Sequence, residues 1–381
     1  MKLRGLKVLD LSMFLPGPHL TMMMADHGAH VIKIEPPAGE PVRTVGLRQN
    51  GHSVWFRNTH RNKRCVMLDL KSTAGRDALL ALADGADVLV EAFRPGVMAR
   101  LGLGYAGLAA RNPRIVYCSI SAFGQTGPKR DRPAHDLAIQ ADSGTLSVNL
   151  GMDGQPAMPG VPAADMAGSL MALSGILMAL YRRHDSGIGD YLDLSMQDAL
   201  IAWLPNALGP MLAEQRDPVP KQERSWGGGA FYQIYATLDR AHLVLGGGEH
   251  KFVERLLHAL GRPDLVVACL QPPGAAQAEA RQFLAQRFAQ QTLAEWTPFL
   301  DALDICWAPV RTLTEALSEP HVAARQMLEA DAEGNRHLGL PIRFLHEPGK
   351  LVRTLENLGQ STDAARQSAW DLFAQPGDPA A

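Results

Sequence analysis

Along the first third of the chain, short apolar runs alternate with longer stretches whose apolar residues recur at helical spacing. Lys7-Val8-Leu9-Asp10-Leu11, Val31-Ile32-Lys33-Ile34-Glu35, Cys65-Val66-Met67-Leu68-Asp69-Leu70, Asp87-Val88-Leu89-Val90-Glu91 and residues 114–120 read as strands. Pro16-Gly17-Pro18 turns the chain after the first run, a helix spans 19–27, and Gly28 stops it. Pro36-Pro37 closes the second run, and residues 74–83 read as a helix. Apolar strands separated by helices predict a parallel sheet of βαβ units, with ligands beyond the carboxyl ends of the strands.

Past residue 160 the pattern changes. Helical periodicity fills 166–183 and 194–212, with a turn and a short strand between them at 187–193. Residues 216–229 are polar, Pro-bearing and Gly-rich, which is the composition of a linker. A hairpin (231–237 and 242–246), helical segments to 303 and one more strand (306–311) follow. The tail after Gln360 is polar and reads as disordered. The expected fold class is therefore α/β. A large domain spans 1–200 and is completed by about 325–381; a linker covers 201–229 and a smaller α+β domain 230–324.

Composition narrows the class. The 381 residues are 46% hydrophobic and 20% charged, enough for cores that need no disulfide or metal. A formal net charge of −2 gives no global basic field, which excludes non-specific nucleic-acid binding; the 37 Lys and Arg residues still permit a local phosphate site. Four cysteines (Cys65, Cys118, Cys269 and Cys306) show no metal or redox spacing. Cys65, Cys118 and Cys306 lie in or beside apolar runs and are expected as buried free thiols of a reducing compartment. No export signal is legible in residues 1–8. The longest apolar stretch, 166–181, carries Gly168, Ser169, Ser174 and Gly175 and falls short of the ~20 residues of a membrane span. It reads as a buried helix, and the expectation is a cytoplasmic protein without a membrane partner.

Candidate chemistry is sparse. Gly102-Leu103-Gly104 is half of a dinucleotide fingerprint but follows a helix-like stretch, and no Walker or HExxH motif occurs. Asp165 stands just before the apolar helix. It reads either as that helix's N-cap or as a carboxylate kept ionised and oriented by free N–H groups, fit to attack a thioester or remove an α-proton. His135, in Arg132-Pro133-Ala134-His135-Asp136, lies at a loop-to-helix boundary as a structural or a reactive imidazole. Glu249 follows Gly246-Gly247-Gly248 and either caps the next helix or faces a ligand. Those glycines allow a close backbone approach to a developing oxyanion, or simply a flexible turn. Trp55, Phe56, Trp226, Phe231 and Tyr232 suit an acyl pocket or the core equally.

Taken in order, the motifs resemble the family III CoA-transferases, the CaiB/BaiF family, which also contains α-methylacyl-CoA racemases. The resemblance runs through Val8-Leu9-Asp10-Leu11-Ser12, Pro16-Gly17-Pro18 and the segment 25–36. It continues in Arg61-Asn62-Lys63-Arg64, Leu68-Asp69-Leu70-Lys71, Glu91-Ala92-Phe93-Arg94-Pro95-Gly96, Arg100-Leu101-Gly102 and Asn112-Pro113-Arg114. Phe123-Gly124-Gln125-Thr126-Gly127-Pro128, the Asp165 segment and Trp307-Ala308-Pro309-Val310 complete it.

The resemblance implies a Rossmann-like large domain and an interlocked homodimer whose linkers thread each subunit through the other. It implies CoA thioesters as substrates, a carboxylic acid acceptor, and neither metal nor redox cofactor. Arg43, Lys71, Arg94 and Arg100 match basic positions near the CoA phosphates, and Leu70 and Phe93 lie beside its adenine. Guanidinium groups suit phosphate because their N–H fork is bidentate. Asp165 matches the catalytic aspartate that forms an aspartyl-acyl anhydride and then an aspartyl-CoA thioester. His135 in place of an aromatic residue, with Glu249, instead matches the racemase branch, where two opposed bases shuttle an α-proton. CoA transfer is the leading expectation and racemisation the alternative.

Overall fold

Six of the strands form one parallel sheet. They are β1 (Lys7–Asp10), β2 (His30–Glu35), β3 (Arg64–Met67), β4 (Val88–Glu91), β5 (Val116–Ser121) and β6 (Tyr191–Ser195). Their spatial order is β3-β2-β1-β4-β5-β6, with every neighbouring pair parallel. The computed structural model describes residues 1–151 and 153–373. Alternation within the strands feeds two cores. Leu9, Ile32, Leu89 and Tyr117 face one side and pack with Val66, Leu79 and Leu82. Val8, Val31, Val88 and Val116 face the other, against Leu20, Met24 and Ile176. A sheet covered on both faces needs strands that are apolar throughout, which is why they were legible. The order is the doubly wound Rossmann one; it reverses between β1 and β4, where such sheets take their ligands.

The helices that accompany this sheet include α1 (Pro16–Asp26), α2 (Val54–His60), α3 (Thr73–Asp84), α4 (Val97–Arg100), α5 (Tyr105–Arg111), α6 (Asp136–Asp142), α7 (Ala163–Ser186) and α8 (Met196–Ala202). α1 begins at Pro16, earlier than predicted, because a proline in the first turn has no N–H to leave unpaired. It ends where Gly28, at φ +107°, donates its N–H to the Ala25 carbonyl.

Edge strand β3 is covered by the C-terminal segment. The Glu356 carboxylate accepts from the Cys65 N–H at 2.7 Å, the Ser361 N–H donates to the Cys65 carbonyl, and Thr362 Oγ1 accepts from the Met67 N–H at 2.9 Å. The predicted disorder after Gln360 is thus corrected: Thr362–Ser368 is helical, Ala369–Phe373 is a 3-10 turn, and Trp370 is buried with its indole N–H on the Leu82 carbonyl. Residues 374–381 lie outside the described residues.

The chain divides into two compact units. The first takes residues 1–143, 160–203 and 320 onward, and the second takes 144–159 and 204–319. The second is built on an antiparallel sheet of β7 (Tyr232–Ala236), β8 (His242–Gly246) and β9 (Trp307–Pro309). Its core joins Phe231, Tyr235, Leu243, Leu245, Phe288 and Trp296. The stretch read as a linker carries the helix Gly209–Glu214 and the turn Arg224–Trp226, both in this unit. The helix predicted over 194–212 is interrupted, with Pro205, which has no N–H to donate, lying in the gap. Cys65 and Cys118 are buried as expected, whereas Cys306 is exposed against its expected burial; Cys269 is buried as well.

The apolar stretch 166–181 also departs from its reading. α7 runs 24 residues and is long and apolar enough, by length and composition, to cross a bilayer; a third of that stretch is buried. One face carries the buried Ala164, Ala167, Ala172 and Ile176, while Met178 and Tyr181 are 70% and 81% exposed.

Candidate active site

Asp165 occupies the first turn of α7, but it does not cap the helix. The cap comes from Asp136, the first residue of α6. Its Oδ1 accepts the Ala164 N–H at 2.8 Å and the Asp165 N–H at 3.2 Å, and its Oδ2 accepts from Gln140 Nε2 at 2.7 Å. With those N–H groups taken, the Asp165 carboxylate has no hydrogen-bond or ion-pair partner among the described residues. Burial, and then repulsion from Asp136, push its pKa up from 3.8 to about 7. The N-cap reading is therefore overturned, and so is the picture of a carboxylate steadied by free N–H groups.

One turn along α7, Ser169 Oγ lies 2.9 Å from His19 Nδ1 on α1. Residues four apart share a helix face, so this contact anchors the face that carries Asp165. Burial first, with Lys63 and Arg61 adding, pushes the His19 imidazole down to about 4, so it is neutral. Gly168 permits the approach of α8, since a Cβ there would meet Met196 Cγ at 2.8 Å.

His135 immediately precedes Asp136 and is the N-cap residue of α6, without a side-chain cap bond. Its ring is exposed and meets the Phe14 ring edge-on, with centroids 5.7 Å apart. Asp136, His19 and Phe14 were missed as functional candidates. Only Asp136 offered a signal, as an acid opening a predicted helix. Glu249 lies in the second unit, exposed, preceding the helix His250–Ala259 without capping it through its side chain. Trp55 is half-buried, whereas Phe56 and Phe231 belong to cores.

The residues matched to CoA separate into two groups. Lys71 follows β3, and Arg94 and Arg100 follow β4; all three are exposed, and their charged groups have no acidic partner among the described residues. Leu70 and Phe93 are half-buried beside the first core. Glu91 at the end of β4 accepts the Phe93 N–H at 2.8 Å and the Ser119 hydroxyl; burial pushes this carboxyl up to about 7 against those bonds. Arg43 differs. Its guanidinium grips Glu35 through two bonds of 2.7 and 2.6 Å, donates to the Glu356 carbonyl and lies over the Phe56 ring. Among the described residues no group of three or more His, Cys, Asp or Glu side chains is arranged for a metal.

The chain has clear relatives. Residues 3–362 match the family described as CoA-transferase family III. An acetyl-CoA:oxalate CoA-transferase of Acetobacter aceti is 35% identical over 334 residues, which cover 85% of this chain and 84% of that one. A succinyl-CoA:glutarate CoA-transferase of Mus musculus is 32% identical, covering 84% and 74%. Among solved structures, a CAIB/BAIF family protein from Brucella suis superposes with a TM-score of 0.83 at 29% identity, covering 96% of this chain and 99% of that one.

Proposed function

The chain belongs to CoA-transferase family III, and from that premise we propose that this enzyme moves CoA from an acyl-CoA to a carboxylic acid through covalent intermediates on Asp165. The observation that carries the reading is the Asp165 carboxylate itself: unpartnered, at a helix start whose N–H groups another acid satisfies, with its pKa pushed up to about 7. A nucleophile must be free of competing bonds and basic enough to attack. Attack on the donor thioester expels CoA thiolate and leaves an aspartyl-acyl anhydride. The thiolate then attacks the aspartyl carbonyl, releasing the donor acid and leaving an aspartyl-CoA thioester. The acceptor carboxylate reverses both steps. His135, beside Asp136, orients Asp165 or the thioester. The oxalate and glutarate in the relatives' names favour a small dicarboxylic acid as acceptor.

CoA lies along the carboxyl ends of β3 and β4, with its phosphates on Lys71, Arg94 and Arg100 and its adenine against Leu70 and Phe93. Three cations without acidic partners support this placement. Arg43, engaged with Glu35, braces the site instead of binding phosphate. The apolar face of α7 around Met178 and Tyr181 supports the interlocked homodimer, with a second copy as its cover. Sedimentation without detergent is expected to give twice the chain mass, and a monomer would refute the dimer. Buried thiols at Cys65, Cys118 and Cys269 favour a reducing, cytoplasmic setting.

Oxygen-18 tests the mechanism. Incubation with acetyl-CoA and carboxylate-labelled oxalate is expected to leave one heavy oxygen on Asp165, read by mass spectrometry of its peptide. It then appears in the acetate released at the next turnover. Label confined to oxalyl-CoA, or α-deuterium uptake from heavy water without an acceptor, would point away from the anhydride route. The second result would favour α-proton transfer by His135, Asp165 and Glu249.

A further inference from the structure

Between Asp10 at the end of β1 and Pro16 at the start of α1, the chain crosses the carboxyl edge of the sheet where the strand order reverses. Phe14 in this turn has φ +64°. That is the left-handed region, where a bulky L residue crowds its own backbone and where strain collects at functional sites. Burial does not explain it, because Phe14 is only half-buried and belongs to none of the buried clusters.

Two buried side chains hold the turn in place. The Phe14 N–H donates to Glu40 Oε1 at 2.9 Å, and Lys33 Nζ donates to the Ser12 carbonyl. Lys33 and Glu40 are themselves 3.5 Å apart and almost fully buried. The turn is thus gripped two residues apart by one ion pair, and the result is a ring set at 83° to the imidazole of His135. Trp55 backs the same ring, with centroids 6.5 Å apart.

We infer that Phe14 is a positioning residue: the strained β1–α1 turn holds its ring against His135 and fixes that imidazole beside the Asp136–Asp165 junction. The inference rests on the reading of Asp165 as nucleophile with His135 as its orienting neighbour. A side chain misplaced by about 1 Å can cost on the order of 100-fold in rate, so the contact is expected to register in kcat.

The test is a double-mutant cycle with kcat, KM and melting temperature measured for each variant. Phe14→Ala is expected to lower kcat roughly 10- to 100-fold with KM for acyl-CoA nearly unchanged, and Phe14→Tyr to restore most of it. Phe14→Ala/His135→Ala is expected to be no slower than His135→Ala alone. Phe14→Gly, which fits φ +64° without strain, is expected to melt above Phe14→Ala while losing as much kcat. Should the alanine variant fail to fold, Phe14→Leu keeps the bulk and takes its place in the cycle. Multiplying effects in the double mutant, or a lower melting point with unchanged kcat, would overturn the inference. A silent His135→Ala beside a dead Asp165→Ala would overturn it too, while leaving the nucleophile standing. An active Asp165→Ala would instead bring down the underlying reading.

Discussion

Asp165→Ala is expected to reduce CoA transfer by ~10⁴-fold or more, with CoA affinity close to wild type and a melting temperature no lower than wild type. The covalent route has no substitute for the carboxylate, whereas the start of α7 keeps its cap, because Asp136 and not Asp165 accepts the first N–H groups. Loss of the fold would mean that Asp165 is structural after all, and retained turnover would remove it from the chemistry. The same carboxylate sets a pH dependence. Burial and Asp136 raise its pKa from 3.8 to about 7, and only the ionised form attacks. kcat/KM should therefore climb with pH and level off above about 7, in a profile measured from pH 5.5 to 8.5. Stability runs the other way. A carboxyl with a raised folded pKa costs nothing while it is protonated in both states, and destabilises the fold increasingly as pH rises from 3.8 through 7. Asp165→Asn should therefore raise the melting temperature at pH 8 and not at pH 4. A flat rate profile would argue against Asp165 as the titrating nucleophile.

Lys63→Met is the substitution expected to harm stability most. Lys63 Nζ donates to Asp10 Oδ2 at 2.9 Å and to the Pro18 carbonyl at 2.8 Å, with both charged side chains fully buried. Asp10 also accepts from the Ser12 N–H and the Thr21 hydroxyl, so it ties β1, the strained turn and α1 together. Burial alone would raise the Asp10 carboxyl, but Lys33 and Lys63 hold it well below the usual carboxylate range. Lys63→Met leaves the buried Asp10 carboxylate with Lys33 alone, at 3.7 Å, and breaking a buried pair typically costs about 3–5 kcal/mol. In a unit of this size that lowers the melting temperature by on the order of 10 °C. Arg111→Ala, which breaks the exposed pair with Asp84, is the control and should leave the melting temperature unmoved. Equal effects from both variants would mean that the buried cluster is no stronger than a surface pair.

Local pattern went far in this chain but stopped at particular residues. The five strands read in the first third are there, within three residues at their ends, because a parallel strand buried on both faces admits few polar residues. The hairpin of the second unit was equally plain, with Arg240 taking the positive φ of its turn. Boundaries failed where the deciding partner is distant. The tail after Gln360 is polar by composition, yet Glu356, Ser361 and Thr362 lie along β3 from nearly 300 positions away. Arg43, matched to the CoA phosphates by resemblance alone, is ion-paired with Glu35, a contact that no motif reveals.

The sequence by itself determined the α/β class, the family and Asp165 as the residue to test, because strand periodicity and ordered motifs are local and survive without knowledge of contacts. Only the tertiary structure decided that Asp136, 28 and 29 positions back, caps α7 and so frees the Asp165 carboxylate. Only the fold, likewise, set Phe14 in a strained turn against His135. Both outcomes depend on which groups meet across elements, at a half-buried carboxylate and at an exposed imidazole. There, hydrogen-bond partners and charge separations, rather than residue type, set what a carboxylate or an imidazole can do.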